Sequence, residues 1–316
     1  MSDAVIAIDA LSKSFGKHLI LDNLSLTVRQ GERYGLVGLN GAGKTTLIRL
    51  LLGVLKPTFG HLSVLGSDPW LHDAALFRRM GVVLEHDGFW GNLTFEQNMK
   101  IFAEARGIAW KETVRYLEER WGNSGLYRNP KPVKQFSRGQ RMQCAIARAF
   151  LGSAQVFFFD EPAVALDVDA YEHFKGLVKA AGERGATFLI SSHQLDAIDD
   201  CCSRVGILRE RCITELEGNG GLVGQARWSL EADGLPEWGA MIREICGGEP
   251  CWREGVWEFK AAGNKSTIPL LVRRLVQAGC DIRTVAPVNG SFGDAIRDEY
   301  RKKSLADRNT VGKVRS

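Results

Sequence analysis

The chain has 316 residues, of which 45% are apolar and 25% charged, and a formal net charge of +4. That composition can bury a sizeable core and excludes general disorder, and the length suits one large domain with a smaller one. So mild a charge gives no ground for nucleic-acid binding, and no nucleic acid is expected as a partner.

No apolar run approaches the roughly 18 residues that a membrane-crossing helix needs. The richest runs, Leu47–Leu55 and Val156–Phe159, are short and bounded by polar residues or glycine. The opening MSDAVIAIDA holds acidic residues and no basic stretch, so no secretory leader is expected. The seven cysteines (Cys144, Cys201, Cys202, Cys212, Cys246, Cys251 and Cys280) are odd in number and frame no pair of CxxC units. They point to a reducing compartment rather than to a zinc site.

In chain order, residues 5–38 read as short β-rich pieces broken at Gly16–Lys17 and Gln30–Gly31. Tyr34–Val37 is a brief buried strand, and Thr45–Leu55 carries the longer apolar pattern of a helix. Between them, GLNGAGKTT (residues 38–46) matches G-x-x-x-x-G-K-[ST] in the strand-to-helix setting that this motif requires. Gly38, Gly41 and Gly43 let the loop curl, so that backbone amides, with Asn40, Ala42 and Thr46 in the run, point inward at phosphate oxygens. The positive end of the following helix adds to the same spot. Lys44 is expected to bind the β- and γ-phosphates of ATP, and Thr45 to offer its hydroxyl to Mg²⁺.

Residues 92–121 are expected to be mainly helical, with a capping box from Thr94 to Gln97, and Pro130 and Pro132 interrupt that region. Ser137–Leu151 carries another helix, and Val156–Phe159 and Thr187–Ile190 are continuous apolar strands. Such runs flanked by helices imply a parallel sheet covered on both faces. The run VFFFDE, ending in Asp160 and Glu161, sets two carboxylates directly after a buried strand. Asp160 is placed to hold Mg²⁺ through water, and Glu161 to act as general base on the attacking water.

A phosphate loop belongs to many NTPases, but FSRGQ (residues 136–140), followed by Arg141 and AIARAFL, narrows the field. With it, roughly residues 3–216 resemble the nucleotide-binding subunit of an ABC transporter, whose LSGGQ signature stands here as FSRGQ. The resemblance implies an α/β fold of P-loop NTPase type: a β-rich subdomain, a RecA-like parallel core and a helical subdomain over about 86–150. It implies that Ser137, Arg138, Gly139 and Gln140 of one subunit close over ATP held by another, so that a second nucleotide-binding subunit is required, with a homodimer preferred. Asp167 in Ala165–Asp167 resembles the loop that crosses the dimer interface, and His193, after FLISS, resembles the switch histidine on the γ-phosphate. Phe15 sits where the family stacks an aromatic on adenine. Glu85 stands where the family has a glutamine that touches Mg²⁺, and exporters resembling bacitracin-resistance systems are also acidic there. The region from Glu85 to Gln135, with Phe89 and Trp90, would receive a helix of a separate transmembrane permease, although those two aromatics could equally pack the helical subdomain.

Residues 217–223 read as a linker. Beyond it come a strand at Arg227–Ala232, a helix at Pro236–Ile245 and a hairpin at Pro250–Ala261 turning at Gly255. A helix at Ser266–Gly279 and a strand at Cys280–Val285 follow. This βαββαβ order is ferredoxin-like and is assigned to residues 224–303, ending in a helix at Ser291–Lys303, with a basic tail over 304–316. Arg301, Lys302 and Lys303 could touch anionic lipid or simply be solvated. The extension, with its closing segment Val288–Tyr300, resembles that of multidrug-type exporters. The implied function is therefore an exporter ATPase on the cytoplasmic face of the membrane; alternatives are an importer ATPase or a soluble ABC ATPase acting on ribosomes or DNA.

Overall fold

The computed structural model describes residues 4–85, 87–193, 195–216, 226–233, 238–246, 250–253, 256–261 and 267–287. The linker at 217–223, His86, the turn at Gly255, the segment Val288–Tyr300 with the helix expected at Ser291–Lys303, and the tail from Ser304 lie outside the described residues. The chain divides into two compact units, Met1–Leu216 and Glu217–Ser316.

The first unit opens with β1 (Ala4–Phe15), β2 (His18–Arg29) and β3 (Arg33–Val37), then α1 (Lys44–Leu51), β4 (Phe59–Val64), α2 (Ala74–Arg78) and β5 (Met80–Val83). A helical stretch follows, with α3 (Phe95–Arg106), α4 (Trp110–Trp121) and α5 (Arg138–Ala149). The chain then alternates through β6 (Val156–Asp160), α6 (Val168–Glu183), β7 (Thr187–Ser192), α7 (Leu195–Cys201), β8 (Arg204–Arg209) and β9 (Cys212–Leu216). β1, β2 and β4 form an antiparallel sheet in the order β2-β1-β4. The others form one sheet in the order β5-β6-β7-β3-β8-β9, parallel except for β9.

The reason lies in the residues. Every position of β6 (VFFFD) and β7 (TFLISS) is buried, as expected of strands covered on both faces. Phe157 stacks on Phe188 across the two strands at 4.7 Å between ring centroids. Parallel register then aligns the strands' ends: Val83 lies opposite Phe159, Asp160 opposite Ser191, and Val37 opposite Ser192. The segments leaving β5, β6, β7 and β3 therefore emerge side by side along one edge, where α/β sheets bind ligands.

Two boundaries differ from the sequence reading. The helix expected to reach Leu55 stops at Leu51, because the amides of Val54 and Leu55 both turn back to the carbonyl of Arg49. The helical region at 92–121 begins with the expected Thr94–Gln97 capping box but splits after Arg106, where the Ile108 amide closes back on the Ala103 carbonyl.

The second unit contains β10 (Ala226–Asp233), α8 (Trp238–Cys246), β11 (Cys251–Arg253), β12 (Val256–Ala261), α9 (Thr267–Gln277) and β13 (Asp281–Pro287). Its strands form an antiparallel sheet in the order β11-β12-β10-β13. Alternation along β10 and β12 turns Leu230, Trp257 and Phe259 inward, where Ile242 of α8 and Leu271 and Leu275 of α9 close a core of their own.

Candidate functional site

The loop after β3 ends at Gly43, whose φ of 109° no side-chain-bearing residue adopts comfortably and which caps α1. Lys44, the first residue of α1, is only 6% exposed. Its ammonium donates to the Gly38 carbonyl at 2.7 Å and pairs with Glu161 Oε1 at 3.3 Å. A cation so enclosed must be matched by anions or carbonyls, and here both meet it. Next to it, Thr45 donates its hydroxyl to Asp160 Oδ2 at 2.7 Å, and Ser191 donates to Oδ1 at 2.5 Å. Asp160 is 2% exposed, held as an acceptor between two hydroxyls.

Glu161 leaves β6 at a φ of 54°, a strained setting for a residue with a side chain. Its amide donates to the Ser191 carbonyl at 3.1 Å, and its carboxylate reaches His193 Nδ1 at 2.8 Å and accepts from the His193 amide at 3.2 Å. One carboxylate thus joins Lys44 to His193. These groups border a cavity of about 480 Å³ that Phe15, Glu85 and Arg138 also line. Phe15 is 45% exposed, and the Lys13 ammonium sits 4.9 Å from its ring centre.

The FSRGQ segment begins α5. Ser137 accepts from the Gln140 amide at 3.1 Å while the Gln140 side chain accepts from the Ser137 amide at 3.0 Å, a complete capping box. A Cβ on Gly139 would come within 2.5 Å of the Ala165 carbonyl, so this glycine lets the segment pack against the loop before α6. Asp167 caps α6 by accepting from the Ala170 amide at 2.9 Å. Of the residues singled out from the sequence, Phe15, Asn40 to Thr46, Glu85, Arg138, Asp160, Glu161 and His193 share the cavity. Gly38, Ser137, Gly139, Gln140 and Asp167 do not line it.

Sequence reasoning missed Ser191, for which the signal was a hydroxyl in a strand otherwise apolar up to Ile190. It also quoted two arginines of α5, Arg141 and the arginine of AIARAFL, without foreseeing their partners. Arg141 pairs with Asp87 Oδ2 at 3.2 Å. Arg148 donates to the carbonyls of Asp87 and Val82, the latter at 3.2 Å, with its guanidinium 5.0 Å from the rings of both Phe89 and Phe102. Burial, with Arg106 nearby, pushes Arg148 down to about 10. Phe89 packs edge-on against Phe95 and Phe102, whereas Trp90 is half-exposed. A second cavity of about 410 Å³ lies beside this segment, lined in part by Glu85, Phe89, Arg138 and Arg141.

The hydroxyl of Thr45 and the carboxylate of Asp160, 2.7 Å apart and both oxygen donors, suit a hard cation such as Mg²⁺. No cluster of three or more His, Cys, Asp or Glu that could hold a metal occurs among the described residues. The protein donors therefore fit an ion that draws its other ligands from a phosphate-bearing substrate and water. No helix among the described residues is long and apolar enough to cross a membrane.

Comparison with known proteins places this geometry in context. The ABC transporter family profile matches residues 21–164. The chain is 36% identical over 212 residues to a bacitracin transport ATP-binding protein of Bacillus licheniformis, across 67% of this chain and 69% of that one. It is 30% identical over 217 residues to a lantibiotic transport ATP-binding protein of Streptococcus pyogenes, across 68% of this chain and 92% of the relative. A solved ATP-binding subunit of an ABC transporter superposes with a TM-score of 0.63 at 26% identity, over 67% of this chain and 89% of that structure.

Proposed function

This chain belongs to the family of ABC transporter ATP-binding proteins and hydrolyses ATP in that role; on that premise we propose that it powers an exporter through a separate transmembrane permease on the cytoplasmic face of the membrane. The observation that carries the catalytic reading is the single carboxylate of Glu161, 3.3 Å from Lys44 and 2.8 Å from His193. Lys44 and the loop amides hold the β- and γ-phosphates. Water attacks the γ-phosphorus, the bond to the β-γ bridging oxygen breaks, and ADP leaves. Glu161 accepts the proton that water gives up, and His193 orients the γ-phosphate. Thr45 and Asp160 would hold Mg²⁺, which when bound neutralises charge on the phosphate oxygens. Phe15 offers its exposed face to adenine.

Ser137, Gly139, Gln140 and Asp167 stand outside their own chain's cavity, and this supports a homodimer in which each copy brings its Ser137 segment over the other's nucleotide. The export reading draws on the bacitracin and lantibiotic relatives. We take the second unit as a ferredoxin-like accessory domain, from its strand-helix-strand-strand-helix-strand order. Replacing the base tests the core of this reading. Glu161→Gln should keep ATP affinity, lower turnover by about 100-fold or more and accumulate a nucleotide-bound dimer on size exclusion. Normal turnover in that variant removes Glu161 from the role of base.

A further inference from the structure

Ser191 lies near the end of β7 with its side chain fully buried, and the parallel register sets it opposite Asp160. Its hydroxyl serves two neighbouring acids at once. It donates to Asp160 Oδ1 at 2.5 Å and accepts from the Glu161 amide at 3.3 Å. The partners fix the direction of both bonds: an ionised carboxylate only accepts and an amide only donates, so the one hydroxyl proton points at Asp160. The Ser191 carbonyl takes the same Glu161 amide at 3.1 Å.

Each acid needs this support for its own reason. Thr45 holds the other oxygen of Asp160 at 2.7 Å, so the carboxylate cannot turn without losing a bond to one hydroxyl or the other. For a buried anion that loss is costly. Glu161 has a φ of 54°, a setting that persists only where neighbours over-determine it, and both acceptors of its amide belong to Ser191. Two residues further on, His193 meets the Glu161 carboxylate with its ring and its amide. The end of β7 therefore grips the side chain of Asp160 and both the main chain and the carboxylate of Glu161.

We propose that Ser191 is a positioning residue for hydrolysis: its hydroxyl holds Asp160 and Glu161 in one fixed offset, the first facing the cation and the second facing the water. Ser191 does not line the cavity, so it acts through the two acids. The inference rests on the ATPase reading above. The test compares full-length wild type, Ser191→Ala and Ser191→Thr, each first shown folded by circular dichroism. Ser191→Ala should lower kcat for Mg·ATP about tenfold or more, with KM for ATP within about twofold. Apart from turnover, the Mn²⁺ affinity of the ADP-loaded chain, read from the paramagnetic resonance signal of free Mn²⁺, should weaken about tenfold in the same variant. Ser191→Thr keeps the hydroxyl and should return kcat and Mn²⁺ affinity to within about threefold of wild type. A Ser191→Ala chain within about twofold of wild type in kcat, or a loss confined to KM, overturns the proposal. So does a folded Ser191→Thr as impaired as Ser191→Ala; if the threonine variant does not fold, the alanine result decides alone. A wild type that hydrolyses no ATP overturns the ATPase reading and this inference with it, whereas an active wild type matched by Ser191→Ala overturns this inference only.

Discussion

The first unit buries Lys44 and Asp160, whereas in the second unit no charged side chain is buried among the described residues. In the first, each buried charge meets a designated partner at the ends of parallel strands: Lys44 on Glu161 and the Gly38 carbonyl, Asp160 on Thr45 and Ser191. The second unit is built the other way. Its inner face holds Leu230, Trp257, Phe259 and the apolar stripes of two helices, and its charges, such as Glu231 and Arg283 at 3.9 Å, stay near solvent. Enclosing a charge costs several kcal/mol unless it is matched. The contrast therefore sets buried charges held by matched partners in the first unit against a core that is apolar among the described residues of the second.

Substitutions can break that contrast or sharpen it. The largest effect is expected at Asp160: replacement by Asn removes the charge that two hydroxyls address, and turnover of Mg·ATP should fall about 1000-fold in a steady-state phosphate-release assay, with the fold retained by circular dichroism. Next comes Trp257, 5% exposed in the core of the second unit. Trp257→Ala should destabilise that unit by about 3 to 5 kcal/mol in urea unfolding while leaving ATP affinity unchanged. A matching loss of ATP binding would show that the two units share more than a chain. The smallest effect is expected at Glu231, about half exposed like its partner Arg283. Glu231→Gln should shift stability by no more than about 0.5 kcal/mol and leave hydrolysis alone.

Much of the site is legible in the amino-acid sequence alone. The glycines and Lys44 of the phosphate loop advertise themselves because few other tasks need that spacing between a strand and a helix. Asp160 and Glu161 stand out as acids closing an apolar run. Along β10 to β13, alternating apolar residues and turn residues mark strands and helices near their observed ends.

What stayed hidden depends on tertiary contact. Arg148 reads as one more polar residue on an amphipathic helix; only its approach to the carbonyls of Val82 and Asp87 makes it a clasp. Ser191 acquires meaning only once β7 lies beside β6 in a register that sets it opposite Asp160. The order β5-β6-β7-β3-β8-β9 follows from crossovers that no local pattern encodes. The early end of α1 at Leu51 is likewise decided by a turn that competes with helix propensity and wins.

On the function proposed above, Lys44 grips a triphosphate beyond the end of β3, and hydrolysis takes place at the Glu161 carboxylate beside it. Calorimetric titration of Mg·ATP into the full chain and into Lys44→Ala tests this most directly. Saturable binding by the wild type, weakened about 100-fold in the variant, is the predicted result. Equal affinity in the two proteins, or no binding by either, contradicts it.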